Sequence, residues 1–252
     1  MEDVVVVGIG QMGGVFANGA LRMGSRVTPV LRGQALTTVA ACTPEPRAVV
    51  VAVGEPDLDA TLASLPATYR KRCLLLQNEL LPYVWRAHEI ADPTVAVVWF
   101  EKKAGTGIRP IRSTPVAGPD AAYWVQALAG LGVPVHAVPT EELLFELVAK
   151  NVYILTANIA GLELGGSVGQ LLAAHRPLAE AIAREVVQVQ SALVGHELSF
   201  DALFAHFEES VAADPEHGCR GRTSASRLDR VQHLARERGV ATPRLDAIAS
   251  LC

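Results

Sequence analysis

Apolar residues along this chain follow two rhythms, which change over near residue 140. Before that point the apolar positions come in short solid runs. These are Val4–Val7, Val27–Leu31, Ala48–Val53, Cys73–Gln77 and Val95–Phe100. Solid runs of this length predict strands buried on both faces, as in a parallel sheet. The spacers between the first and second runs, and between the third and fourth, are long enough for helices. That alternation predicts a sheet with helical crossovers. From Val95 to Val138 the pattern stays strand-like. Turn signals fall at Ala104-Gly105, Gly107, Pro110 and Gly118-Pro119, and a short helix is expected over Ala121–Leu131.

After Thr140 the period becomes helical. Leu143, Leu144, Leu147, Val148, Leu155, Ile159 and Leu162 fit one long helix, apolar on more than one side and therefore buried. Thr140 with Glu141 and Glu142 reads as its N-cap and acidic first turn, and Gly165-Gly166 with Gly169 as its end. A second helix is expected over Pro177–Leu193. A third is capped by Ser199, and the loop from Asp214 to Thr223 leads to a fourth that Gly239 closes. Pro243 opens a short last one. The expected organisation is an α/β domain over residues 1–139, followed by an all-helical domain over residues 140–252.

The first run leads into Gly8-Ile9-Gly10-Gln11-Met12-Gly13 and then into an amphipathic helix. Strand, Gly-x-Gly-x-x-Gly turn and helix together form the Rossmann dinucleotide fingerprint. Gly8 permits the tight turn, Gly10 lets a pyrophosphate approach the backbone, and Gly13 brings the helix close to the sheet. The helix N-terminus then offers free N–H groups and a favourable dipole to the phosphates. Ligands of open α/β sheets gather beyond the carboxyl ends of the strands. Residues 8–13, Arg32, Val53, Gly54 and Asn78 all belong there.

The end of the second run selects between cofactors. An NAD site places an acid there, about 20 residues past the glycine turn, for the ribose hydroxyls. This chain has Arg32 instead, suited to a 2′-phosphate, so NADP(H) is the expected cofactor. The competing reading is a surface arginine. Asn78 follows three leucines at a strand's carboxyl end. It suits either a contact to cofactor and substrate or a helix N-cap.

Lys150 and Asn158 interrupt the apolar long helix. Eight residues separate them, with Ile154 between, so both lie near one face with a rise of about 12 Å. Buried polar groups need partners or solvent. Facing a nicotinamide across an interdomain cleft, Lys150 would act as the proton donor to a carbonyl under reduction, and Asn158 would bind substrate. The alternatives are a snorkelling lysine and a core amide satisfied by backbone.

Composition adds mainly exclusions. The chain has 252 residues, half of them hydrophobic, and a net charge of −4, which gives no reason to expect nucleic acid or an anionic membrane as partner. Cys42, Cys73, Cys219 and Cys252 lack metal-ligand spacing, and the seven histidines contain no HxxxH pair, so no metal is expected. The run at residues 4–7 is far too short for a signal peptide, and no stretch approaches the ~20 apolar residues of a membrane span. A cytoplasmic protein acting on a small molecule is the expectation.

With these motifs in place, the chain resembles the ketopantoate reductase (2-dehydropantoate 2-reductase) family over nearly its full length. The resemblance rests on the glycine turn, on Arg32 in Val-Leu-Arg-Gly, and on Asn78 in Leu-Leu-Leu-Gln-Asn. It also covers Lys150 and Asn158 in the long helix, Gly169 in a short turn after it, the Ser210-x-x-x-Asp214 spacing, and the closing stretch from Arg220 to Pro243. It implies a Rossmann domain joined to a helical substrate and dimerisation domain. It implies an NADPH-dependent reductase of a small 2-keto acid, with Lys150 catalytic and Asn78, Asn158 and Ser210 on the substrate. The chain departs from the family at Gly54, Glu79 and Ile154, and at Thr223-Ser224, where the family carries Thr-Glu. Arg220 and Arg222 are candidates to clamp a substrate carboxylate, or else form a solvated basic loop. A β-hydroxyacid dehydrogenase-like enzyme or imine reductase, and a degenerate non-catalytic NADP(H)-binding homologue, remain the alternatives.

Overall fold

The computed structural model describes residues 1–251; Cys252, counted among the thiols above, lies outside the described residues. The contacts divide the chain into two compact units, Met1–Leu147 and Val148–Cys252.

In the first unit, β1 (Asp3–Val7) leads through the glycine turn into α1 (Gln11–Arg22). There follow β2 (Arg26–Val30), α2 (Leu36–Cys42), β3 (Ala48–Val51), α3 (Glu55–Ala63), α4 (Ala67–Arg70), β4 (Cys73–Leu75), α5 (Pro82–Arg86) and β5 (Thr94–Ala96). A hairpin of β6 (Phe100–Lys102) and β7 (Ile108–Pro110) precedes β8 (Thr114–Ala117), α6 (Ala121–Ala129) and β9 (Val135–Ala137). The main sheet has seven strands in the order β2-β1-β3-β4-β5-β8-β9. Its first five strands run parallel, and β8 joins β5 antiparallel. The order reverses direction at β1, so the crevice beyond the carboxyl ends of β1 and β3 is the ligand position of such a sheet.

The solid valine runs are explained by burial on both sheet faces. Val4 to Val7, Ala48 to Val51 and Leu74-Leu75 are all buried. One face packs under α1 and α6, where Phe16 meets Trp124 at a ring separation of 5.5 Å. Gly19 makes this approach possible, since a Cβ there would lie 3.1 Å from the Ala127 carbonyl oxygen. Burying Phe16 and Trp124 is worth about 3–5 kcal/mol each against alanine.

The expected strand Val95–Phe100 is broken. β5 ends at Ala96, and Phe100 opens the separate two-stranded hairpin. Trp99 explains the break. Its N–H turns to the Thr114 hydroxyl, and its carbonyl accepts from Ile111 and Arg112 rather than continuing the main sheet.

The helical part comprises α7 (Leu143–Glu163), α8 (Val168–Val194), α9 (Phe200–Ala213), α10 (Ser224–Arg238) and α11 (Pro243–Ala249). The unit boundary falls within α7. Thr140 does not cap α7, because the chain turns once more before the helix begins at Leu143. Gly169 does not end a helix. It sits in the first turn of α8, which starts earlier than expected with a capping box between Ser167 and Gln170. Gly169 is required for close approach, since a Cβ there would lie 2.8 Å from the Pro215 carbonyl oxygen. α8 is kinked at His175, where Pro177 removes a helical hydrogen bond and crowds the preceding turn. Ser199 caps α9, and Gly239 closes α10 in the left-handed conformation, both as expected.

One helix among the described residues, α7, is long and apolar enough to cross a membrane, which corrects the reading of the sequence alone. Its apolar window is 78% buried inside the protein, so it is a core helix by packing.

Candidate active site

The glycine turn takes the geometry its spacing requires. Gly8 has φ +87°, the left-handed region in which a side chain is strained, and a Cβ there would lie 2.8 Å from the Ala52 carbonyl oxygen. Gly13 faces back on the turn, where a Cβ would collide with the Gly8 carbonyl oxygen at 1.9 Å. Gly10 is different: nothing lies within 4 Å of its Cβ position. It is the N-cap of α1, with no side-chain cap and no acid in the first turn. The N–H groups of Gln11, Met12 and Gly13 are therefore left without side-chain competition for an anion. Ile9 and Gln11 are exposed, whereas Met12 packs its side chain against the core and offers only its backbone. These features fit a dinucleotide pyrophosphate.

Neighbouring strand ends complete the cradle. The Gly8 N–H donates to the Val30 carbonyl at 3.2 Å, which ties the turn to β2 and brings the Arg32 position beside it. Arg32 is exposed, and its guanidinium reaches Asp57 in α3 at 3.3 Å. That exposed pair is weak and leaves the arginine available to a stronger anion. Gly54 is the N-cap of α3, and Val53 lies beside Gly8. Gln77 is structural: its side chain donates to the Val51 and Val53 carbonyls at 2.8 and 3.1 Å. Asn78 and Glu79 follow it, both half-buried, and the Asn78 N–H donates to Glu55 at 3.4 Å. Asn78 precedes no helix start directly, since α5 begins at Pro82.

In the helical part, Lys150 and Asn158 are each only 6% exposed. The Lys150 ammonium stands 5.8 Å from the centre of the Tyr153 ring, a cation–π distance. Tyr153 in turn packs against Phe207, 5.8 Å between centres, which stacks on Phe204. Asn151, the next residue, donates to Gln190 of α8 at 3.0 Å. These contacts fix the segment of α7 that carries Lys150.

Asn158 donates to the Cys219 carbonyl at 3.0 Å and accepts from the Arg227 guanidinium. Arg227 was not singled out by sequence reasoning. It sits in the first turn of α10 at 7% exposure, in a stretch whose other basic residues are largely solvated. The only signal was an arginine placed beside Leu228 on the apolar side of that helix. Ser210 is fully buried, and its hydroxyl donates to the His206 carbonyl at 2.7 Å. Ser224, where the resemblance has an acid, is buried and accepts from the Gly221 N–H at 2.9 Å. Arg220 and Arg222 are exposed. Among the described residues, no group of three or more His, Cys, Asp and Glu side chains is arranged to hold a metal ion.

A dinucleotide-type sheet unit carrying an empty-sided glycine turn, and a helical unit carrying a buried lysine, define a class of two-unit α/β + α proteins. Within that class the fold is that of the ketopantoate reductases. A PanE/ApbA family ketopantoate reductase from Ralstonia eutropha JMP134 matches with a TM-score of 0.69 at 16% identity, over 99% of this chain and 96% of that one. A 2-dehydropantoate 2-reductase from Methylococcus capsulatus matches equally, with a TM-score of 0.69 at 16% identity over 99% and 95%. D-mandelate dehydrogenase in complex with NADH matches with a TM-score of 0.69 at 15% identity over 99% and 97%. No protein-family model and no curated protein matches the sequence. At these identities the likeness establishes the fold, and function has to be argued from the residues.

Proposed function

We propose that the protein is an NADPH-dependent reductase of the ketopantoate reductase type, acting on the carbonyl of a small 2-keto acid, ketopantoate or a related compound. The observation that carries this reading is Lys150, an amine 6% exposed on an apolar helix of a fold shared with keto-acid reductases. When bound, NADPH supplies the hydride. The chain's own residues do the rest. The N–H groups of α1 and the open face of Gly10 hold the pyrophosphate. Arg32 exchanges Asp57 for the 2′-phosphate, which favours NADPH over NADH. Val53, Gly54 and Asn78 border the nicotinamide half. Lys150 polarises the substrate carbonyl and gives its proton to the oxygen as the alkoxide forms. Asn158 and Ser210 hold the substrate. The reaction requires Lys150 to be brought to the cofactor held by the sheet unit. We place the enzyme in the cytoplasm, as a homodimer on a small-molecule substrate.

A second reading has one specific observation behind it. Ser224 cannot supply the charge of the acid that the resemblance expects, which suits a homologue that binds NADP(H) without turnover. Loss of NADPH absorbance over a panel of 2-keto acids and imines separates the two. Turnover of at least one 2-keto acid is expected, and Lys150→Ala should lower kcat by about 10²–10⁴ while leaving cofactor affinity within twofold. NADPH binding with no turnover of any substrate would establish the non-catalytic reading.

A further inference from the structure

We infer that Lys102 binds the pyrophosphate of the cofactor, from a hairpin that walls the glycine turn into a cavity. The inference rests on the nicotinamide-cofactor part of the reading above and adds a binding residue to it.

The glycine turn itself supplies no charged side chain. Residues 8–14 are all uncharged, and the one basic residue of α1, Arg22, stands in its last turn. The backbone N–H groups contribute only partial charges. A diphosphate carries negative charge on both of its phosphates, and a full cation beside it offsets the cost of taking it out of water.

A cavity of about 430 Å³ in the sheet unit places such a cation. Gly10 and Gly14 of the α1 segment line it, and Lys102, Gly107 and Ile108 line it from the hairpin. The volume lies within the range of about 300–1,000 Å³ usual for small-molecule sites. Lys102 is the charged residue of the lining, which contains no Asp or Glu. A second cavity, at the amino ends of the strands, is built differently. There Arg47 is met by Glu2 and Asp120 at 2.8 and 3.2 Å.

The hairpin sorts its charges by face. Successive strand residues point to opposite sides. Glu101 pairs with Lys103 at 3.3 Å and with Arg109 at 3.8 Å. Lys102 stands opposite Ile108 in the ladder, and both line the cavity. The half-buried Lys102 donates through its ammonium to the Lys103 carbonyl at 3.2 Å and to the Thr106 carbonyl. These neutral acceptors hold the ammonium in place and leave its charge uncancelled. A fixed ammonium is a point charge suited to phosphate.

The glycines of the cavity point to the same occupant. A fold needs glycine where φ is positive or where a Cβ would collide. Gly10, Gly14 and Gly107 meet neither condition: none has a positive φ, and nothing lies within 4 Å of any of their Cβ positions. Gly218 is the one other glycine of which this is true. Gly14 even sits inside α1, where glycine is unfavourable. The packing of the protein does not require bare backbone at these three positions, whereas a ligand lying against the backbone does.

The test is calorimetric titration of the full chain with NADPH and with NADH, which share the pyrophosphate and differ in the 2′-phosphate. Lys102→Met should weaken both cofactors alike, by about 10–100-fold, with the melting temperature unchanged. Lys102→Arg should recover most of the affinity. Gly14→Leu fills the cavity from a helix that leucine favours, so it should weaken both cofactors without lowering the melting temperature. Unchanged affinity in Lys102→Met, loss confined to NADPH, or binding of neither cofactor by the wild type would overturn the inference. Turnover of a 2-keto acid by the wild type, with cofactor affinity unchanged in Lys102→Met, would sink the inference and leave the reductase reading standing. Lys102-dependent cofactor binding without turnover of any 2-keto acid would do the reverse.

Discussion

The sheet unit and the helical unit build their polar surfaces in opposite ways. At the glycine turn the chemistry is backbone: Gly8, Gly10 and Gly13 contribute the absence of side chains, and the helix end contributes N–H groups. On α7 the chemistry is side chain, and Asn158 is held by groups far along the chain, Arg227 and the Cys219 carbonyl. A backbone site tolerates almost any sequence that keeps its glycines. A side-chain site can change its ligand with one substitution. This difference accounts for a glycine turn that keeps its motif while residues of the helical unit depart from the pattern they resemble.

The largest effect that would test this contrast is at Gly13. Its Cβ would overlap the Gly8 carbonyl oxygen, so Gly13→Val should abolish NADPH binding in a fluorescence titration and lower stability by about 2–4 kcal/mol. Retained cofactor affinity would mean that the backbone cradle is not the cofactor site.

Next comes Arg32, a side-chain element set into the backbone site. Arg32→Ala should raise the dissociation constant for NADPH by about 10–100-fold and leave that for NADH unchanged. Equal changes for both cofactors would show that the 2′-phosphate is not read there.

A smaller effect is expected where a side chain does backbone work. Glu185 is buried on α8, and its two carboxylate oxygens accept from the Arg244 and Leu245 N–H groups at 2.7 and 2.9 Å. It thereby caps α11 from outside, where Thr242 makes no side-chain cap. Glu185→Ala should cost about 1–2 kcal/mol in chemical denaturation, with amide exchange increased in α11. A change spread evenly over the chain would contradict a capping role.

The smallest effect concerns Glu146, whose carboxyl burial pushes above its usual range, with His136 and Arg112 partly opposing the shift. Because the folded state holds this proton more tightly than the unfolded state, the contribution is fully present below the ordinary carboxylate pKa. It is lost as pH rises through the raised value. Glu146→Gln should flatten the stability profile across that window and slightly stabilise the protein at neutral pH.

The sheet unit was legible because its signals are local. Valine runs mark doubly buried strands, and a glycine spacing fixes a turn whatever else surrounds it. Two features misled for physical reasons. Gly169 looked like a helix stop because its purpose, room for Pro215, belongs to a loop more than forty residues away. The Val95–Phe100 run looked like one strand because the Trp99 hydrogen bonds that divert it come from residues 111–114. Arg227 was missed because its meaning lies wholly in a tertiary partner. Lys150 was found because an apolar helix makes a charge conspicuous.

Cys219 lends the carbonyl that orients Asn158, and burial pushes its own thiol up to about 11. Cys73 is pushed further, to about 12. At neutral pH the reactive thiolate of Cys219 is then roughly one molecule in ten thousand, and peroxide attacks thiolates rather than thiols. Cys42, exposed on α2, is the described thiol that an oxidant meets first. The loop that holds the Asn158–Arg227 pair therefore carries a sulfur that is chemically silent, and an oxidative episode would pass with that geometry intact.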